Sequence, residues 1–261
     1  MKILVCLKQV VDVELNIQLK GGQIDDQGLR YVINAYDESA LEAALQLKDA
    51  GEADVTILSI GPDRVQEALR KGLSMGADRA IHLKDDAFEG SDSYAFAKAV
   101  SELVKKREFD LVIMGKQAQD TDSAQGGPML AEMLGWPQAT NLVFVQRDPE
   151  GGLLVRRMGD DGKEVLGVQT PAVLTISNDF GEARIPTMKG IMGAKKKEIE
   201  TLTLADLGLT PDAVGKAGSQ TEIVSREQPE KRKTGRKLTG KADEITRELF
   251  SYLVNEAKMP V

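Results

Sequence analysis

Short apolar runs alternate with longer amphipathic stretches along the first half of this chain. Residues 2–7 (KILVCL), 54–60 (DVTILSI), 79–83 (RAIHL) and 110–115 (DLVIMG) read as buried strands, because they are brief, aliphatic and rich in β-branched types. Between them lie segments of helical period. Leu41, Ala44, Leu45 and Lys48 fall at i, i+3, i+4 and i+7, with Lys48 at the stripe's edge and Asp37 as the candidate cap. Val65, Ala68, Leu69, Gly72 and Leu73 form a second stripe, closed by Gly76. A third helix is expected from Ser91 or Asp92 to about Arg107, and a short one from Pro128 through Leu134. This alternation predicts a doubly wound, mainly parallel α/β sheet covered on both faces.

The pattern then changes. Residues 141–146, 153–158, 163–168 and 172–176 read as strands joined by Gly/Asp turns, an antiparallel extension of the sheet or an excursion from it. Residues 9–36 read as a long, mostly polar connection, and 181–197 as a loop without a clean period. Residues 205–241, rich in Gly, Pro, Lys and Gln, read as an extended C-terminal arm. A last helix over about 242–257 puts Ile245, Leu249, Leu253 and Val254 on one face. The expected division is an α/β domain over 1–204 and an arm with its helix over 205–261.

Composition narrows the chemistry. In 261 residues, Lys+Arg number 34 against 41 Asp+Glu, a net charge of −7 that argues against a general nucleic-acid binder. The basic segment from Lys231 to Lys237 is accordingly read as a solvated arm. One Cys excludes a disulfide framework, and one His excludes a His-pair metal site. No run approaches a membrane span, and the N-terminus reads as a strand rather than a signal peptide, so a cytoplasmic location is expected. Cys6 and His82 read as core residues.

Ligands of such sheets bind beyond the carboxyl ends of the strands, where strand order reverses. Three features converge there: the 9–36 connection, the Gly61-Pro62 turn and the polar loop from Gly115 (GKQAQDTDSAQGGP). Gly115 permits close backbone approach, and Gly126-Gly127 precedes a helix whose N–H groups would favour a phosphate. Ser123 and Gln125 offer hydrogen bonds and Lys116 a charge, opposed by Asp120 and Asp122. The alternative is an ordinary polar loop. There is no GxxxxGK[ST] and no GxGxxG after the first strand, and the KQVVD there is unlike the SGGxDS of ATP-using relatives of this topology. The two loop aspartates lack a neighbouring His or nucleophile and are not read as catalytic. In the 181–197 loop, Arg184, Lys189 and Lys195-Lys196-Lys197 surround Met188, Ile191 and Met192, a mixture that favours an interaction surface over a solvated face.

The motifs LVCLKQVVD, NAYDESALEAALQLK, Gly72 to His82, GKQAQDTDSAQGGPMLAEMLGWPQ, PAVLTI and RIPTMKGIMGAKKKEIE followed by DLGL carry a resemblance to the beta subunits of electron transfer flavoproteins over nearly the whole chain. The resemblance implies a Rossmann-like (adenine nucleotide alpha hydrolase-like) fold. It also implies an alpha-subunit partner that carries a redox-active FAD and is wrapped by the C-terminal arm. Ordinary members hold a structural AMP in the beta subunit. Electron-bifurcating members hold a second FAD there, which takes a hydride from NADH.

Carried over by position, the nucleotide site comprises Cys6, Asn34, Ala35, Tyr36, Asp37, Ile60, Gly115, Lys116, Gln117, Ala118, Gln119, Asp120, Thr121, Asp122, Ser123, Ala124, Gln125 and Gly126. The resemblance also makes the loop before AKKK the docking site for a flavoprotein dehydrogenase of the acyl-CoA dehydrogenase type, through Arg184, Ile185, Met188, Ile191, Met192 and Lys195. Met188 takes the anchor position. Electrons would then pass to an acceptor such as a quinone oxidoreductase. Departures are Ala35 where Pro is usual, Gly126 where Thr or Val is common, and Ile185 and Lys189 where mammalian-type members have Tyr and Pro. Ser123-Ala124-Gln125 looks partly like bifurcating members, whereas AKKK and the GWPQ ending at Gln138 look like ordinary ones, and AMP is the expected occupant.

Overall fold

The computed structural model describes residues 1–15, 17–229, 235 and 237–259. It divides into two units, Met1–Ser225 and Arg226–Val261. Of the basic arm segment, Lys231, Arg232, Lys233 and Arg236 lie outside the described residues.

The chain opens with β1 (Lys2–Cys6). The long connection then folds on itself as β2 (Gln9–Val11), β3 (Leu19–Lys20), β4 (Gln23–Ile24) and β5 (Tyr31–Ile33), where the sequence predicted only a polar link. β2 pairs antiparallel with β5, and β3 with β4. Next come α1 (Ala35–Asp49), β6 (Asp54–Ile60), α2 (Val65–Met75), β7 (Arg79–Leu83), α3 (Ser93–Lys106), β8 (Leu111–Gly115) and α4 (Gly126–Leu134). Asp92, not Ser91, caps α3, accepting from the N–H groups of Tyr94 and Ala95. α2 ends at Gly76, whose positive φ of 135 disfavours any side chain. α4 starts two residues before Pro128, at Gly126.

β9 (Gln138–Arg147), β10 (Leu153–Gly159), β11 (Gly162–Val168) and β12 (Ala172–Ile176) form the extension. β10 runs antiparallel to both β9 and β11, and β9 joins the sheet parallel to β12. β9 begins earlier than the pattern predicted and absorbs a register shift opposite Arg156/Arg157. α5 (Met188–Ala194) lies inside the stretch expected to be a loop. β13 (Ile199–Leu202) follows it as a parallel edge strand on β7.

The strand order β11-β10-β9-β12-β8-β1-β6-β7-β13 reverses between β1 and β8, as expected of a doubly wound sheet. Strand residues alternate between two cores. Ile3, Val5, Val55 and Ile57 meet Leu41, Leu45, Leu69 and Leu73 of α1 and α2. Leu4, Leu58 and Val112 meet Val100, Leu103 and Leu130 of α3 and α4. Each such fully buried side chain contributes about 1.5–3 kcal/mol, which holds the strand ends, and hence the crevice, rigidly in place.

Residues 205–225 belong to the first unit. They carry α6 (Leu204–Leu207, its first residue at 204) and α7 (Gly215–Gly218). The Asp92 carboxylate accepts from Gln220 N–H, Thr221 N–H and the Thr221 hydroxyl, so the residue that caps α3 also pins this segment. In the second unit, α8 (Ala242–Ser251) passes into a π-helical turn over Tyr252–Glu256, together covering the predicted last helix.

Candidate functional site

The crevice between the ends of β1 and β8 is built around one buried carboxylate. Asp37, in the first turn of α1, accepts from the N–H of Lys8 at 2.8 Å and from the N–H of Gly115 at 2.8 Å. It therefore ties α1 to the ends of both strands. Burial opposes its charge and prevails over these two bonds and the Asn34 side chain, raising its pKa from 3.8 to about 6. Gly115 serves this junction directly. A Cβ there would lie 2.5 Å from Asp37 Oδ1 and 2.6 Å from Tyr36 Cβ. The close approach read from the sequence is thus between Gly115 and α1.

Asn34 fastens the following loop. Its side-chain nitrogen donates to Gln117 O at 2.8 Å and its oxygen accepts from Gln119 N–H at 3.1 Å. Gln119 Oε1 in turn accepts from Ala35 N–H. Asp122 accepts from Gln117 Nε2 at 2.8 Å, and the Ser123 and Ser93 hydroxyls share a hydrogen bond. Asp122 and Ala124 both adopt positive φ, 50 and 52, a conformation that costs a non-glycine residue about 1 kcal/mol or more.

Left-handed Ala124 followed by right-handed Gln125 (φ −105, ψ −24) makes a backbone concavity at the start of α4. Among the described residues, the N–H groups of Gln125, Gly126 and Gly127 have no acceptor within the chain. This donor set and the strain that holds it fit a phosphate. Gly127 is required by packing, since its Cβ would strike Thr175. Gly126 is not, because a Cβ would meet Met114 and the Phe96 ring at 3.4 and 3.5 Å.

The structure brings Asn34–Asp37 and Gly115–Gly126 together. Lys116 continues the strand direction by donating its N–H to Ile176 O, and Ala118 O accepts from the N–H groups of Thr121 and Asp122. Asp120 and Thr121 are exposed. Ile60 ends β6 on the same rim. Cys6 is buried at the end of β1, facing the core, and burial pushes its thiol well above the usual range. His82 is fully buried, with Nε2 2.8 Å from Gly61 O. The residue missed by sequence reasoning is Lys8. Its ammonium reaches Asp120 Oδ1 at 2.7 Å. The available signal was its place as the first charge after the β1 run.

A second surface lies on α5. Ile185, Met188 and Met192 are 88%, 73% and 64% exposed, and Ile191 and Lys195 are exposed beside them. α5 sits against α2 because Gly190 leaves room for Ser74 O. Arg70 grips its far end through Ala194 O and Lys197 O, and Lys197 turns inward to Ala77 O. Arg184 does not join this surface. It donates to Glu42 through its N–H, Nε and Nη2, and to Asp49. Burial works against the Glu42 charge, but the Arg184 bonds outweigh it and hold the carboxyl below its usual range.

Strand order, the strained loop and the helix N-terminus define an α/β protein of the class that carries its ligand crevice at the switch point of a doubly wound sheet. Residues 21–207 match the family described as the electron transfer flavoprotein domain. The chain is 39% identical over 255 residues to the electron transfer flavoprotein subunit beta of Thermoanaerobacterium thermosaccharolyticum, covering 97% of this chain and 98% of that one. It is 38% identical over 259 residues to the subunit beta of Clostridium acetobutylicum (99% and 98% covered). To that of Mycobacterium tuberculosis it is 37% identical over 264 residues (97% of each). The chain belongs to the electron transfer flavoprotein beta-subunit family, whose role is electron transfer. Among the described residues, no helix is long and apolar enough to cross a membrane.

Proposed function

We propose that this chain is the beta subunit of a heterodimeric, cytoplasmic electron transfer flavoprotein. It carries electrons from a flavoprotein dehydrogenase of the acyl-CoA dehydrogenase type to a respiratory acceptor such as a quinone oxidoreductase. The FAD of the alpha subunit supplies the redox chemistry. An AMP held by Asn34–Asp37 and the Gly115–Gly126 loop fills the polar crevice and holds its loops. The observation that carries this reading is the pairing, in a chain of this family, of a phosphate-shaped backbone cradle with an exposed apolar and basic helix on the opposite face of the sheet. The arm and α8, with Leu249, Phe250 and Tyr252 exposed, offer apolar surface to the alpha subunit.

The test is nucleotide content. The chain is purified with its partner, the complex is denatured, and the released nucleotides are quantified by chromatography. One FAD and one AMP per heterodimer are expected. Two FAD and no AMP would overturn the AMP assignment and make the complex a bifurcating, NADH-oxidising one.

The docking role is tested separately. Met188→Ala removes the most exposed apolar side chain of α5 and should slow electron transfer from the dehydrogenase about tenfold, in the range of an interface anchor. Flavin content should not change. An unaltered transfer rate would remove α5 from the interface.

A further inference from the structure

An acidic loop is an unexpected holder for a phosphate, and the loop between β8 and α4 carries both Asp120 and Asp122. Asp122 is hydrogen-bonded by Gln117, which is neutral. Asp120 is paired with a cation, the Lys8 ammonium, 2.7 Å from its Oδ1. The base of Lys8 is fixed. Its N–H donates to Asp37 at 2.8 Å and its carbonyl accepts from Asn34 N–H at 2.9 Å. Asn34 and Asp37 are the residues that hold the loop and the end of β8. One rigid junction thus fixes both the base of Lys8 and the first part of the loop to which Asp120 belongs.

From this geometry we infer that Lys8 is a further positioning residue of the nucleotide site: its ammonium cancels the Asp120 charge and so lets the acidic loop accept the phosphate of an adenine nucleotide. The inference rests on the nucleotide reading given above. Lys8 acts through Asp120 and through the local potential. Both partners are partly solvated, with side-chain exposures of 45% and 36%, so the effect is one of screened charge and weakens with salt. Removing one charge a few ångströms from an anion in a mostly aqueous setting changes affinity about tenfold.

The experiment measures AMP binding by equilibrium dialysis on the heterodimer, after its endogenous nucleotide has been removed. Lys8→Gln should bind AMP about tenfold more weakly at low salt, with the deficit shrinking near ~1 M salt as the charges are screened. Lys8→Arg should stay close to wild type. The double variant Lys8→Gln/Asp120→Asn, which lacks both charges, should return close to wild-type affinity, which a role in merely tethering the loop would not allow.

Lys8→Gln equal to wild type, or a double variant as weak as Lys8→Gln, would overturn the inference while leaving the nucleotide site intact. If the single variant does not assemble, Asp120→Asn alone tests the inference: with Lys8 left uncompensated it should bind AMP more tightly than wild type at low salt, and equal or weaker binding would overturn the inference. A wild-type complex that takes up neither AMP nor FAD would overturn the nucleotide reading itself, and this inference with it.

Discussion

Gly115→Ala should lower the stability of the chain by about 2–4 kcal/mol, since it combines overpacking with a lost buried hydrogen bond. The new Cβ would stand 2.5 Å from Asp37 Oδ1, 2.6 Å from Tyr36 Cβ and 2.8 Å from the Tyr36 carbonyl carbon. These are a rigid helix start and a buried carboxylate, so the clash is relieved only by moving β8 away from α1. That movement breaks the Gly115 N–H bond to Asp37 and shifts the loop anchored at Asn34. A fall in melting temperature of about 6–12 °C follows from the size of the chain. Gly126→Ala is the control. Its Cβ would make ordinary contacts at 3.4 Å or more, and its melting temperature should stay within a few degrees of wild type. Thermal unfolding of the two variants side by side checks the contrast, and equal melting points would dismiss it.

The Asp37 junction should also make stability depend on pH in an unusual direction. A carboxyl raised from 3.8 to about 6 is held more tightly protonated in the folded chain than in the unfolded one. Its contribution is therefore present in full below about pH 4 and lost as pH rises through 6. The difference corresponds to about 3 kcal/mol. Asp37→Asn cannot ionise, so its stability should change less between pH 4.5 and 7.5, by an amount of that order. The variant should also be less stable at every pH, because one of the N–H groups of Lys8 and Gly115 then faces an amide donor instead of an acceptor. Urea midpoints measured across this range for both chains test the slope. Parallel profiles would show that Asp37 does not titrate there.

The central sheet was legible in the sequence because β1, β6, β7, β8 and β12 are largely buried on both faces and leave short, mostly apolar runs. The elements that escaped have no such requirement. β2 to β5 are two- or three-residue ladders, too short to show a period: β2 closes on the distant β5, and β3 on β4 across the Gly21-Gly22 turn. α5 buries only Ala194 and turns its larger apolar side chains to solvent, the inverse of the pattern by which a core helix is recognised. β13 is a half-covered edge whose place on β7 follows from where α5 sets it down.

Topology placed the Gly115 loop at the reversal between β1 and β8, since that reversal follows from the order of strands. The roles of individual residues were less accessible. Gly115 serves packing against Tyr36 and Asp37, and Arg184 is turned to Glu42 and Asp49, because both depend on contacts made across the fold.

The seating of α5 bears on how fast a carrier can exchange partners. Gly190 lets α5 lie directly on α2, and Arg70 grips its far end. The conformational entropy of this segment is therefore surrendered once, when the chain folds, and not again at each encounter. If α5 is the docking surface proposed above, a partner would have only to displace water from a few adaptable side chains, and would leave without anything having to unfold. In that role the surface would suit brief, repeated collisions, where the lifetime of the complex rather than its ordering sets the pace of traffic.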